Sequence, residues 1–141
     1  MPISISGSGT ITGISAGGLP DGCVTGDDIA NNAVTLGKLG TTEQGQLCKA
    51  WVNFNGTGTV AIRASYNVSS ITDMGTGNYK VNFTTEMPDA NYSYATQAGN
   101  GAGNLYFAGG PVAAPTSTAF QFGTGAASFA DLAYVSCAIF R

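Results

Sequence analysis

From Leu47 onward, apolar and polar residues alternate with a period of two. Ala50, Val52 and Phe54 fall on one side of an extended segment, with Trp51 and Asn53 on the other. Asn55-Gly56, lengthened by Thr57-Gly58, supplies a turn. Thr59 to Val68 returns as a second predicted strand, in which Val60, Ile62, Ala64 and Tyr66 alternate with Ala61, Arg63 and Ser65. After a Gly-rich break at Asp73 to Gly77, the alternation of Tyr79, Val81 and Phe83 with Lys80, Asn82 and Thr84 predicts a half-buried strand. Met87-Pro88-Asp89 reads as a turn, Tyr92 to Thr96 as a strand, and Asn100-Gly101-Ala102-Gly103 as a further turn. Leu105 to Phe107, a Pro-containing loop from Gly109 to Thr116, and a strand at Ala119 to Phe122 follow. Leu132 to Phe140 closes the chain and is apolar on both faces, which predicts a strand central in the fold or pressed into a neighbouring subunit. Seven or so short strands separated by turn signals predict an antiparallel β-sandwich over residues 48–141.

Residues 1–47 carry a different pattern. They hold no Phe, Tyr or Trp, and isolated apolar residues stand among Gly, Ser, Thr and Asp. Ile3 and Ile5, then Ile11 and Ile14, mark two- or three-residue extended pieces broken by Gly. Such a segment buries too little apolar surface alone to offset its ordering cost, so it is expected to be a flexible arm or to fold only against copies of itself. Between Thr25 and Gly40 the apolar marks are Ile29, Val34, Leu36 and Leu39, with Asn31-Asn32 as a turn and one helical turn capped by Asp27 conceivable. That spacing suits a short repeat-like unit whose apolar ridge meets equivalent ridges around a symmetry axis.

Composition narrows the function classes. Of 141 residues only 9% are charged, against about 25% in ordinary domains, while 21 are Gly and Thr, Ser and Asn are abundant. Five basic against eight acidic residues, net −3, leave no basic cluster to follow phosphates, so no nucleic-acid partner is expected. No apolar run approaches the length of a membrane helix, and Met1 to Gly7 has neither a basic region nor a long apolar one to act as a signal peptide. With 43% hydrophobic and 10% aromatic residues the chain has enough apolar content to fold.

Histidine is absent, which removes Ser-His-Asp and Cys-His nucleophile systems and His-ligated zinc. Cys23, Cys48 and Cys137 have no CxxC spacing and are expected to be ordinary thiols. Asp27/Asp28 and Glu86/Asp89 are the candidate carboxylate pairs, and both sit in cap or turn contexts rather than facing a common cleft. The Gly-rich loops lack the strand-loop-helix setting and the Lys of a phosphate cradle. No catalytic residue, metal ligand or cofactor is therefore predicted. What remains is recognition: Tyr92, Tyr94, Tyr106, Asn100, Asn104, Gln97 and Gln121 lie near the proposed loops. Tyr offers a large contact area at low entropy cost, and amides bond hydroxyls. Of these, Tyr92, Tyr94, Asn100, Asn104 and Tyr106 are the expected receptor-binding residues.

Ala50-Trp51-Val52-Asn53-Phe54-Asn55-Gly56-Thr57-Gly58, Ile62 to Ile71, Gly75-Thr76-Gly77-Asn78-Tyr79 and Val81 to Tyr92 together resemble the C-terminal domain of bacteriophage tail-fibre proteins. The upstream stretch Gly26 to Leu39 is similar to one fibre-shaft repeat. The resemblance implies a homotrimer attached to other virion proteins, of baseplate, tail or capsid, through its N-terminal segment. Ile3, Ile5, Ile11 and Ile14 would belong to that anchor, Ile29, Val34, Leu36 and Leu39 to the trimer contacts. Residues 1–47 would form an extended, strand-poor arm and short shaft, and 48–141 a distal knob facing a host-surface glycan or protein. Two alternatives are a capsid-decorating head fibre without a receptor role and a polysaccharide-depolymerising tailspike; the missing carboxylate pair weighs against the latter. In a trimer the low charge acquires a reason, because a charge near a threefold axis repeats on all three chains and repels itself.

Overall fold

The computed structural model describes residues 24–102 and 105–141. They fall into two compact units that divide between Leu39 and Gly40.

In the first unit two short 3-10 turns, Gly26–Asp28 and Leu36–Lys38, stand ten residues apart. Each follows an extended threonine, Thr25 or Thr35, and ends on an extended apolar residue, Ile29 or Leu39, whose N–H bonds back to the turn. At the first turn the cap is Thr25 rather than Asp27. The Asp28 carboxylate accepts from the Thr25 backbone N–H (2.8 Å) and hydroxyl (2.7 Å), which holds its pKa below the usual carboxylate value. Asn32 takes a left-handed φ of 65°, which Asn tolerates better than most residues, and turns the chain between the two. Ile29, Val34 and Leu36 are 44, 58 and 50% exposed. Among the described residues of this unit, these three apolar side chains stand exposed, while Leu39 is half-buried.

In the second unit a one-and-a-half-turn helix α1 (Thr41–Gln46) leads into eight antiparallel strands: β1 (Cys48–Asn55), β2 (Ala61–Tyr66), β3 (Val68–Asp73), β4 (Asn78–Phe83), β5 (Ser93–Gly99), β6 (Leu105–Pro111), β7 (Ala119–Gly125) and β8 (Tyr134–Phe140). They form one nearly closed sheet in the order β2-β1-β8-β5-β6-β7-β4-β3. The two ends of that order, β2 and β3, are consecutive in the chain. The single strand predicted over Thr59 to Val68 is in fact broken at Asn67, which adopts φ 54°. The Asn67 amide donates to the Lys49 and Thr85 carbonyls and accepts from the Thr85 N–H at 2.7 Å, so the corner is held from both sides. Between the two halves, β6 pairs first with β5 at Leu105 and Tyr106, then with β7 at Phe107, Ala108 and Pro111. The predicted sandwich is thereby a continuous sheet folded over one core, and β8 is central, between β1 and β5.

The period of two decides what fills that core. Ala50, Val52 and Phe54 from β1, Tyr79, Val81 and Phe83 from β4, Phe120 and Phe122 from β7, and Val135, Cys137 and Ile139 from β8 are all buried. Phe54 meets Tyr79 edge-on at 5.0 Å, and Phe120 stacks on Phe122 at 5.7 Å. One end of the core is closed by a loop pinned on polar bonds. The Asp131 carboxylate accepts from the Tyr79 hydroxyl (2.8 Å) and the Gly77 N–H (2.7 Å), and the Gly56 N–H donates to Leu132 O (2.9 Å). Burial, reinforced by Asp131, raises the Tyr79 phenol well above its ordinary pKa.

Burial also pushes the Cys137 thiol up from 9.0 to about 12, with the nearby Cys48 as a smaller cause. The unfolded chain loses this proton first, so the contribution to stability is intact below about pH 9 and disappears as pH rises from there toward 12. The loss is roughly 1.4 kcal/mol per pH unit inside that window. Cys137→Ala should flatten the part of the stability profile that begins near pH 9, as read from urea midpoints across the alkaline range. An unchanged slope would show that the thiol is not buried.

Candidate functional site

The residues expected to bind a receptor do not form one surface. Tyr92 precedes β5 and belongs to the core: it is 7% exposed and lies edge-on to Phe83 and Phe120. Its hydroxyl lies 3.1 Å from both the Thr116 and Ala119 carbonyls, and burial lifts its pKa to about 12. It has no face left for a ligand. Tyr94 is 37% exposed, its ring lying over Phe120 at 4.6 Å. Tyr106 and Asn100 share a loop contact: the Asn100 amide donates to the Tyr106 hydroxyl (3.3 Å), while its carbonyl accepts from the Ala102 N–H (2.9 Å). Gln121 donates to Asn78 Oδ1 at 2.9 Å. Asn104, Ile3, Ile5, Ile11, Ile14 and Cys23 lie outside the described residues.

Strand register assembles two other surfaces. On the outer face of the β2-β1-β8-β5 half, Tyr66, Trp51, Ala138 and Ala95 stand in one row, and Ala64, Asn53, Ser136 and Gln97 in the next. The small side chains of β8 and β5 leave a groove of about 450 Å³ beside Trp51. Trp51 and Tyr66 are 41 and 59% exposed. Asn53 is oriented by its amide, which donates to the Ser136 hydroxyl at 3.0 Å. The end of this face is held by Arg63. Its guanidinium donates to the Phe54 (2.7 Å) and Ala133 (2.6 Å) carbonyls and lies 4.6 Å from the centre of the Tyr134 ring.

The second surface lies over β6 and β7. Phe107 and Phe129, 71 and 52% exposed, border a cleft of about 350 Å³ floored by Gly109, Gly110, Gly123 and Gly125. A Cβ at Gly123 would sit 2.5 Å from the Phe129 ring, and one at Gly109 3.0 Å from the Phe107 ring. The glycines therefore let the two rings lie down on the strands. Neither surface is lined by a charged residue.

Sequence periodicity placed Trp51 and Asn53 opposite the core face, which is half of the groove. The other half escaped because Tyr134, Ala138 and Phe140 make the outward side of β8 as apolar as its inward side. The glycine-floored cleft escaped because Gly109-Gly110-Pro111 reads as a loop, whereas all three residues belong to β6.

Among the described residues, no three His, Cys, Asp or Glu side chains converge as metal ligands, and no helix is long and apolar enough to cross a membrane. No family model, curated protein or solved structure matches the chain.

Proposed function

We propose that this chain is a virion structural protein, a short trimeric phage tail fibre whose distal β-rich knob binds the host cell surface. The observation that carries the reading is a rigid sheet whose core is closed by its own bonds yet exposes two uncharged, aromatic-bordered surfaces. Preformed grooves bordered by exposed aromatic side chains are common recognition surfaces. The exposed ridge of Ile29, Val34 and Leu36 supports trimerisation, since equivalent ridges of neighbouring copies would cover it. In this reading the N-terminal segment attaches to other virion proteins, the knob is a binding module rather than an enzyme, and the protein resides in the virion.

A capsid-decorating role is the second reading, and the Phe107/Phe129 cleft favours it, because a mostly apolar surface suits a contact with another particle protein. Two measurements test the proposal together: the mass of the assembly in solution, and competition between the purified protein and the phage for host cells. A trimer that blocks adsorption supports the fibre; a trimer that leaves adsorption untouched supports decoration.

A further inference from the structure

The Trp51 groove differs from the apolar cleft in offering polar side chains in fixed positions, and this difference identifies an occupant. Its floor is Ala95 and Ala138, its wall Trp51, and its polar groups are Asn53, Ser136 and Gln97. All come from three adjacent strands in regular register, so the site is formed before any ligand arrives. The Asn53 amide is held between Ser136 and Arg63, whereas the outward Gln97 side chain makes no hydrogen bond among the described residues. An amide both donates and accepts, as a hydroxyl does. An indole face accepts the C–H side of a flat saturated ring while the polar rim of that ring stays available for hydrogen bonds. No Asp, Glu, Lys or Arg lines the groove, and the Arg63 guanidinium at its edge already donates to Asn53 Oδ1 (3.5 Å) and to the Phe54 and Ala133 carbonyls, so a charged ligand would lose its water without gaining a free counter-ion. A volume of about 450 Å³ lies within the roughly 300–1,000 Å³ range of small-molecule sites.

We infer that this groove is a binding site for a neutral pyranose unit of a glycan, stacked beside Trp51 and hydrogen-bonded by Gln97 and the Asn53–Ser136 pair. The inference rests on the surface-binding reading above and names the ligand class for one of its surfaces.

Trp51 is the single tryptophan of the chain, so its emission reports on this groove alone. The intact protein is titrated with glucose, galactose, mannose, rhamnose and N-acetylglucosamine, and with glucuronic acid and N-acetylneuraminic acid as charged counterparts. At least one neutral sugar should give a saturable emission change that the acids do not. Gln97→Ala should weaken that response by about tenfold, as expected for losing one amide's hydrogen bonds. Ala95→Leu, which fills the floor from the solvent side, should abolish it, and Phe107→Ser should leave it unchanged. Silence toward every neutral sugar, a stronger response to the acids, or an emission that follows protein concentration instead of sugar would overturn the inference. The last result would mean that a second copy covers the groove. Host-cell competition run in parallel separates the two claims. A protein that blocks adsorption but ignores sugars refutes the groove alone, and one that binds sugar without blocking adsorption refutes the surface reading alone.

Discussion

Gly77→Ala is expected to cost about 3–4 kcal/mol, a large share of the stability of a domain this size. Two effects combine at this position. Gly77 has φ +61°, where an L side chain is strained by roughly 1–2 kcal/mol. Its added Cβ would also lie within 3 Å of three backbone atoms, namely the Ala130 nitrogen, the Thr124 carbonyl oxygen and the Ala130 carbonyl oxygen. Backbone cannot rotate away as a side-chain tip can, so the loop that closes the core must lift, taking with it the Asp131 bonds to Gly77 and Tyr79. Gly58 is the matched control: its φ is +63° but a Cβ there meets nothing within 4 Å. Gly58→Ala should therefore lose only about 1 kcal/mol. Urea denaturation of both variants makes the comparison, and equal losses would show that the loop does not rest on Gly77.

Phe54→Ala carries the second large effect, about 3–5 kcal/mol from lost burial and the cavity left behind. The ring is fully buried and meets Tyr79 edge-on at 5.0 Å and Phe122 at 6.5 Å, so its removal strips contacts from three strands at once. Trp51, three residues earlier on the opposite face of the same strand, is the larger side chain, yet Trp51→Ala should cost no more than about 1 kcal/mol because it faces outward. A shift of the urea midpoint without a change in slope would assign both effects to the folded state. A greater loss at Trp51 than at Phe54 would mean that β1 sits in the opposite register.

Strands with one buried face were legible because alternation is itself the consequence of half-burial. Ala50-Val52-Phe54 and Tyr79-Val81-Phe83 point inward as their spacing predicts. The corner at Asn67 was not, since apolar residues continue on both sides of it and the left-handed backbone of one Asn leaves almost no compositional trace. Without that corner the two edges of the sheet could not be recognised as neighbours in the chain, nor the sheet as nearly closed. Tyr92 and Tyr94 show a second limit. Both were expected at a recognition surface, but β5 begins at Ser93, so Tyr92 tucks under the sheet where its hydroxyl meets two carbonyls. Tyr92 shares the parity of Tyr94, which lies over Phe120, and of buried Ala98, so all three face the core side of β5. The groove itself depends on which strands become neighbours, since Trp51 and Gln97 are separated by 46 positions and meet only because β8 lies between β1 and β5.

The proposed trimer rests on the exposure of Ile29, Val34 and Leu36, which equivalent residues of neighbouring copies would cover. Light scattering on the intact protein at micromolar concentration addresses this most directly. The account predicts a particle of three chains, about 43 kDa from three times the 14.2 kDa chain. A stable 14.2 kDa monomer would contradict it, and with it the fibre.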